Sequence, residues 1–323
     1  MSRPRVVFMG TPEFAVPSLA AVAAAGDVAA VVTRPDRPRG RGLESGPSAV
    51  ALEAARLGLE VHKPERANAP ELRGRISALA PDLLAVVAFG AILGADLLRV
   101  PRLGAINMHG SLLPDYRGAS PVQRALWDGR SSTGVTTLWM DEGIDTGDLI
   151  LQRWHPIDSG DDAETLARVL AALGAPLLAE SLTLAHAGRA PRRPQLGSAG
   201  SYAGKLQKRD GEVNWTLDAT TVWNHLRAVT PWPGATAHFQ GRRLQIVAAR
   251  PLDLLPGDER PGTVLALAPE AVSVACGRGA LALVRVKPEG RGEMGAAEWA
   301  RGARLTRGHT FEPAGLEMKE FRI

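Results

Sequence analysis

Apolar and polar residues follow two different rhythms along this chain. In the first, short runs that are apolar at nearly every position alternate with longer stretches whose apolar residues recur at helical spacing. Residues 5–10, 28–33, 82–89 and 104–109 read as strands, and 82–89 is so uniformly apolar that it belongs near the centre of a parallel sheet. Residues 14–25, 48–58, 69–80, 91–98 and 121–127 read as helices, the first closed by Gly26 as a C-cap. A short strand at 59–62, strands at 133–140 and 150–155, and a long helix at 163–186 complete this part. Strands alternating with helices imply an α/β fold with a doubly wound parallel sheet and right-handed crossovers. The carboxyl ends of the 82–89 and 104–109 strands should then lie side by side.

The second rhythm starts after a stretch dense in Pro, Gly and Arg, read as a linker over 188–204. A short helix at 220–228 is followed by Val- and Leu-rich runs at 235–239, 242–249, 262–266, 272–276 and 279–288, with a helix at 294–302. Short strands at that spacing suggest a small OB-like β-barrel. The expected organisation is a domain at 1–187, the linker, and a C-terminal domain at 205–323.

Charge adds a bias to this division. Lys and Arg balance Asp and Glu at 21 against 21 over residues 1–204, whereas 205–323 holds 17 against 13, so the whole surplus lies in the second part. A basic excess of that kind is either solvated surface or the complement of a phosphate backbone. The loop after the second strand, 34–42, carries Arg34, Arg37, Arg39 and Arg41 and little that could be buried, so it should be exposed and mobile. It reads either as a solvated linker or as a clamp for an RNA end. Cys276 is the single cysteine, which excludes an internal disulfide or a thiolate cluster, and no paired Cys/His spacing suggests a metal. The amino terminus lacks a secretory pattern and no apolar run is expected to span a bilayer, which predicts a cytoplasmic protein.

Candidate chemistry concentrates between 107 and 148. Side chains alternate along a strand, so Ala105, Asn107 and His109 share one face of the 104–109 strand while Ile106 and Met108 take the other. Ser111-Leu112-Leu113-Pro114 must turn at the strand's carboxyl end, where open α/β sheets place ligands. A second loop, 141–148, holds four acidic residues, of which Asp145 is the one to bring beside His109. An amide, an imidazole and a carboxylate around one point form a minimal acyl-transfer set. Each alone has a local reading as turn closer, satisfied core histidine or turn cap. Gly10 after the first strand stands alone where a dinucleotide fingerprint needs three spaced glycines, which argues against a nicotinamide-dependent oxidoreductase.

Asn107-Met108-His109, Ser111-Leu112-Leu113-Pro114 with Arg117-Gly118 and Pro121, and Asp145-Thr146-Gly147-Asp148 together resemble the signature of the folate-dependent formyltransferases. The resemblance implies catalytic roles for Asn107, His109 and Asp145. It also implies a pterin seated between the strand end carrying Val87 and Phe89, the turn Ser111, Leu112, Leu113 and Pro114, and the loop carrying Asp141 and Ile144, held largely by backbone groups. Met9-Gly-Thr-Pro-Glu-Phe-Ala, the arginine loop, Val86-Val-Ala-Phe-Gly, Lys205-Leu-Gln-Lys, Asn214-Trp and Pro231-Trp-Pro extend the resemblance over nearly the whole chain. They are similar to the branch of the family acting on initiator methionyl-tRNA. That branch implies 10-formyltetrahydrofolate as donor substrate with no permanently bound cofactor, no membrane partner, a monomer, and tRNA contacts through Arg34, Arg37, Arg39 and Arg41. A branch acting on a sugar nucleotide amine such as UDP-aminoarabinose is the alternative, and it would leave the arginine loop without a partner. The chain departs from the tRNA-acting pattern in two places: Leu43-Glu44-Ser45 follows the loop where lysines are usual, and Phe89 replaces a frequent tyrosine.

Overall fold

The computed structural model describes residues 3–39, 44–195, 200–253 and 258–313. The chain divides into two compact units. The first comprises residues 1–121, 132–156 and 167–203, and the second comprises 122–131, 157–166 and everything from 204 onward.

Strands β1 (Arg5–Gly10), β2 (Asp27–Val32), β5 (Val61–His62), β6 (Leu83–Val87), β7 (Gly104–His109), β9 (Ser132–Trp139) and β10 (Leu149–Pro156) form the first unit's sheet. Between β2 and β5 run β3 (Arg37–Arg39) and β4 (Glu44–Gly46), and β8 (Arg117–Gly118) follows β7. The sheet order is β10-β9-β7-β6-β1-β2-β5, with β7 through β5 parallel and β9 and β10 antiparallel at one edge. As the sequence predicts, β6 and β7 are neighbours, with Val86 opposite Asn107. Every residue of β6 is buried, which is why its sequence shows no alternation.

Helices α1 (Val16–Ala25), α2 (Ala49–Arg56), α3 (Pro70–Ala78) and α4 (Ala95–Leu98) connect the strands; α5 (Pro121–Trp127) and α6 (Ala163–His186) come later in the chain. Ser48 caps α2, its hydroxyl accepting from Ala51 N at 3.0 Å and lying 2.7 Å from Thr33 Oγ1. Only four residues of the expected 91–98 helix are helical, because Gly94 sits at its N-cap. Helix α6 corrects the expectation about membranes: by length and composition it could cross one. Here it is a core helix. Leu170, Leu177, Leu178 and Leu182 are buried, and Ser181 Oγ lies 2.7 Å from Thr137 Oγ1 of β9. Gly174 leaves room for Met108, whose sulfur would stand 2.7 Å from a Cβ added there.

Two stretches expected to lack regular pairing have it. Arg37–Arg39 pairs antiparallel with Glu44–Gly46, so the basic loop begins and ends as a two-stranded ribbon; Arg41 lies outside the described residues. The Pro/Gly/Arg-rich stretch contributes β11 (Tyr202–Ala203), parallel to β8, and Arg193 bridges Leu149 through paired backbone hydrogen bonds.

In the second unit, β12 (Ala235–Phe239), β13 (Arg242–Leu252), β14 (Val264–Leu267), β15 (Val272–Ala275), β16 (Ala280–Pro288) and β17 (Met294–Gly295) form an antiparallel sheet, ordered β12-β13-β16-β15-β14 with β17 on β16. Together with α7 (Ala219–Ala228) and α8 (Ala296–Gly302) they bury one core that includes Trp215, Phe239, Leu283 and Phe311. Residues 122–131 and 157–166 join this unit through α7. Trp127 packs tilted against His225 with ring centroids 4.4 Å apart, and Arg227 donates to the carbonyls of Asp158 and Asp161.

Burial holds the His225 pKa below its ordinary 6.5, outweighing the bond from its Nε2 to the Asp210 carbonyl. The folded state therefore binds this proton less readily than the unfolded one, so stability is lost as pH falls below about 6.5. Asp82 and Asp218, whose carboxyls are held below 3.8, add their own loss only in stronger acid. The thermal midpoint should drop between pH about 7 and about 5, and His225→Gln should flatten that slope. A midpoint equally pH-dependent in the variant would assign the slope elsewhere.

Candidate active site

Because Asn107 and His109 are two apart on β7, both reach the same neighbour. Asn107 Nδ2 donates to Asp145 Oδ1 at 3.1 Å, and His109 Nδ1 stands 3.5 Å from Asp145 Oδ2. The second distance is too long for a good hydrogen bond. His109 Nε2 lies 2.8 Å from the Tyr116 carbonyl, which can only accept, so Nε2 carries a proton and Nδ1 is the nitrogen turned toward the carboxylate. His109 is 5% exposed and Asp145 13%.

Asp145 is delivered by the acidic loop in a left-handed conformation, φ +54°, which Asp tolerates better than most residues. Gly118 N donates to Oδ2 at 2.8 Å. The carboxylate is thus met by a backbone N–H, a side-chain amide and an imidazole. Asp141, by contrast, closes its own loop: it accepts from Gly143 N at 3.1 Å and Thr146 Oγ1 at 2.7 Å. Ile144 is an exposed apolar residue in that loop, 42% accessible.

The turn after β7 spends most of its polar groups on the protein. Ser111 Oγ donates to Asp115 O, and Ser111 O accepts from Thr136 Oγ1. Leu113 N donates to Thr136 Oγ1 and Leu113 O accepts from Gln152 Nε2 at 2.8 Å. Leu112 lies over Gly134, whose missing side chain its Cδ2 would otherwise meet at 2.6 Å. Pro114 follows a cis peptide bond. Val87 and Phe89 are buried, with Phe89 packed among Val86, Leu93 and Leu97. Their side chains are thus part of the core. Phe89 O accepts from Thr11 Oγ1 at 2.9 Å, and Arg34 N reaches the same hydroxyl at 3.4 Å, which roots the basic loop beside the end of β6. Among the described residues, no three His, Cys, Asp or Glu side chains are grouped to hold a metal.

Sequence reasoning missed several residues around the trio. Tyr116, at φ +61°, presents the carbonyl that orients His109, and its N–H donates to Ser201 Oγ at 3.0 Å. Gln195 Nε2 donates to the carbonyls of Asp145 and Gly147, both at 2.8 Å, while its Oε1 accepts from Arg117 Nε at 3.0 Å and Nη2 at 2.8 Å. Arg117-Gly118 stood in the signature without a role, and Tyr116 directly before it was the available signal. Gln195 and Ser201 lie where composition gave none.

The family model described as formyl transferase matches residues 4–182, and that described as formyl transferase, C-terminal domain, matches 205–304. A methionyl-tRNA formyltransferase of Pelotomaculum thermopropionicum is 43% identical over 305 residues, spanning 94% of this chain and 97% of its own. An N-formyltransferase of Helicobacter canadensis, solved with folinic acid and dTDP-3-aminofucose, is similar in structure with a TM-score of 0.67 at 18% identity, over 88% of this chain and 99% of its own. HypX of Aquifex aeolicus, solved with tetrahydrofolic acid, gives a TM-score of 0.61 at 20% identity over 93% of this chain. This chain spans 47% of HypX, about half its length. At those identities the two solved structures bear on the fold alone.

Proposed function

The chain belongs to the formyl transferase family, and from that premise we propose that it moves the formyl group of 10-formyltetrahydrofolate onto the amino group of methionyl-initiator tRNA. The product would be the N-formylmethionyl-tRNA of translation initiation. The observation that carries this reading is that likeness to a methionyl-tRNA formyltransferase runs through both domains. The likeness to a sugar formyltransferase is one of fold. The proposed donor is a substrate, so no bound cofactor is required, and the acceptor fits a protein of the cytoplasm; a monomer is the proposed state.

In the proposed mechanism the neutral amine attacks the formyl carbon and negative charge builds on the formyl oxygen. Asn107 spends one amide hydrogen on Asp145 and has a second for that oxygen. The proton released by the amine passes to the pair formed by Asp145 and His109 Nδ1, and the imidazolium so formed stabilises the oxyanion. Collapse of the tetrahedral intermediate breaks the bond to the folate N10, which takes the proton back from His109. Gly118 N and Tyr116 O keep the carboxylate and the ring facing each other throughout.

Asn107, His109 and Asp145 are the catalytic residues in this reading. The pterin lies against the turn Ser111, Leu112, Leu113 and Pro114, the backbone of Val87 and Phe89, and the loop of Asp141 and Ile144. Arg34, Arg37, Arg39 and Arg41 meet the tRNA backbone, supported by the cationic surplus after residue 204. Replacing Arg39 and Arg41 with Ala should raise the tRNA concentration needed and reduce the slope of log affinity against log salt by roughly 1 for each phosphate no longer neutralised. An unchanged slope would remove the loop from the tRNA interface. The reading as a whole is tested by offering methionyl-tRNA and UDP-aminoarabinose as acceptors with 10-formyltetrahydrofolate; formylation of the sugar nucleotide alone would overturn it.

A further inference from the structure

Among its described residues, the stretch 191–203 has no regular element longer than a two-residue strand, yet it bonds to the main chain of both residues that face the His109 ring. We infer that this strap is part of the catalytic machinery, with Gln195 and Ser201 as positioning residues that fix Asp145 and Tyr116 on opposite sides of the imidazole. The inference rests on the formyl-transfer reading and extends it to residues outside the family signature.

At the Asp145 side, the Gln195 amide is fully committed. Both Nε2 hydrogens go to carbonyls, those of Asp145 and Gly147, and both Oε1 lone pairs face the Arg117 guanidinium. Reversing the amide would set its NH₂ against a guanidinium and its oxygen against two carbonyls, so one orientation is selected. One of the carbonyls it grips belongs to the left-handed residue itself and the other lies two residues on, which leaves Asp145 little freedom to return to an ordinary backbone conformation. Arg117 itself belongs to β8, the strand that supplies Gly118 N to the Asp145 carboxylate. Gln195 therefore links the two loops that hold Asp145.

At the other side, Ser201 Oγ accepts from Tyr116 N, and Ser201 O accepts from Arg117 N at 2.9 Å. Tyr116 is also left-handed, and its carbonyl is the acceptor for His109 Nε2. Gly200 packs so closely on Pro114 that a Cβ there would stand 2.2 Å from the Pro114 carbonyl. The strap is anchored further back as well: Trp139 Nε1 donates to Pro191 O at 3.0 Å, and the Arg192 guanidinium lies 4.1 Å from the Trp139 ring centroid. Gln195 and Ser201 of one segment thus hold the main chain of the two residues whose carboxylate and carbonyl face the two ring nitrogens. A ring held from both sides delivers its proton along a fixed line, and displacements near 1 Å can cost about 100-fold in rate.

The experiment compares unaltered protein with Gln195→Met, Gln195→Glu and Ser201→Ala in formyl transfer from 10-formyltetrahydrofolate to methionyl-tRNA, across pH. Gln195→Met should lower kcat about 10- to 100-fold with both KM values within about twofold. Its pH–rate profile should shift, because the Asp145–His109 pair is no longer held at its native spacing. Gln195→Glu keeps size and the pairing with Arg117 but sets carboxylate oxygens against two carbonyls; it should show the same fall in kcat, and it serves where the Met variant does not fold. Ser201→Ala, which frees Tyr116 N, should lower kcat in the same direction. Adding Arg117→Met to Gln195→Met should cost little more, since the two act through one link. A purely structural strap would instead lower the thermal midpoint and the fraction of active protein, leaving kcat per active site and the pH profile unmoved; that result overturns the inference while the function stands. Unaltered protein that transfers no formyl group to methionyl-tRNA would overturn the functional reading, and the inference with it.

Discussion

Asp145→Asn is expected to lower the single-turnover rate of formyl transfer about 1,000-fold or more while folate and tRNA still bind. The substituted amide must point its NH₂ somewhere. Placed where Oδ2 stands, it sets donor against donor at Gly118 N and donates to His109 Nδ1, holding the ring neutral; placed where Oδ1 stands, it sets donor against donor at Asn107 Nδ2. Because His109 Nε2 is already spent on Tyr116 O, the ring cannot answer by exchanging tautomers without breaking that bond. In the first placement the proton from the attacking amine loses its acceptor, and in the second the imidazolium loses the negative charge that stabilises it. Asn107→Ala removes the proposed oxyanion donor, worth about 100- to 1,000-fold, and His109→Ala removes the charge proposed to follow the proton. All three act on one developing charge, so double variants should fall well short of the product of the singles. Rapid-quench single turnovers, with tRNA binding measured separately, decide the matter. Any of the three that keeps its rate within about tenfold is misassigned.

How far these groups could be foreseen depends on which forces place them. Asn107 and His109 share a face because strand side chains alternate, and a strand between two neighbours in a buried sheet cannot slip register. Placing them together needs no tertiary knowledge, and both reach the one carboxylate. The adjacency of β6 and β7 follows similarly from the topology of alternating strands and helices. The strap was illegible for the opposite reason. Pro, Gly and Arg announce that no regular element will form, but isolated backbone groups still require partners, and which ones they find is decided by the surface they cross. Ser201 and Gln195 found Tyr116 and Asp145; nothing in their spacing encodes that. Helix α6 defeats a reading by composition because length and apolarity describe a core helix and a membrane-crossing one alike, and only burial against β9 separates them. Phe89 shows a related limit. A motif position near a proposed site can still give its side chain to the core, and the Phe89 ring is buried there.

The loop that carries Asp145 exposes this dependence on backbone fit most sharply at Gly147. A Cβ added there would lie 1.8 Å from the Trp139 carbonyl oxygen and 2.9 Å from its carbon, atoms of a buried strand that cannot turn aside as a side chain can. Gly147→Ala must therefore lift the loop off β9. Gly147 O would leave Gln195, the bond from Trp139 N to Asp148 O would stretch, and Asp145 would move away from Asn107 and His109. Over-packing of this kind typically costs about 1 to 3 kcal/mol in stability. The catalytic cost should be larger, about 100-fold or more, because Asp145 sits two residues from the clash and its position is what the chemistry uses. Two other glycines grade the effect. At Gly143 an added Cβ would meet Thr146 Oγ1 at 2.0 Å, a side-chain atom that can rotate away at the expense of its bond to Asp141. At Gly160 nothing lies within 4 Å. Formyl transfer should therefore fall steeply for Gly147→Ala, moderately for Gly143→Ala and not at all for Gly160→Ala, and the order of thermal midpoints should match. If Gly147→Ala retains a normal rate, the acidic loop has another way of presenting its carboxylate, and the geometry proposed for proton removal is the part to abandon.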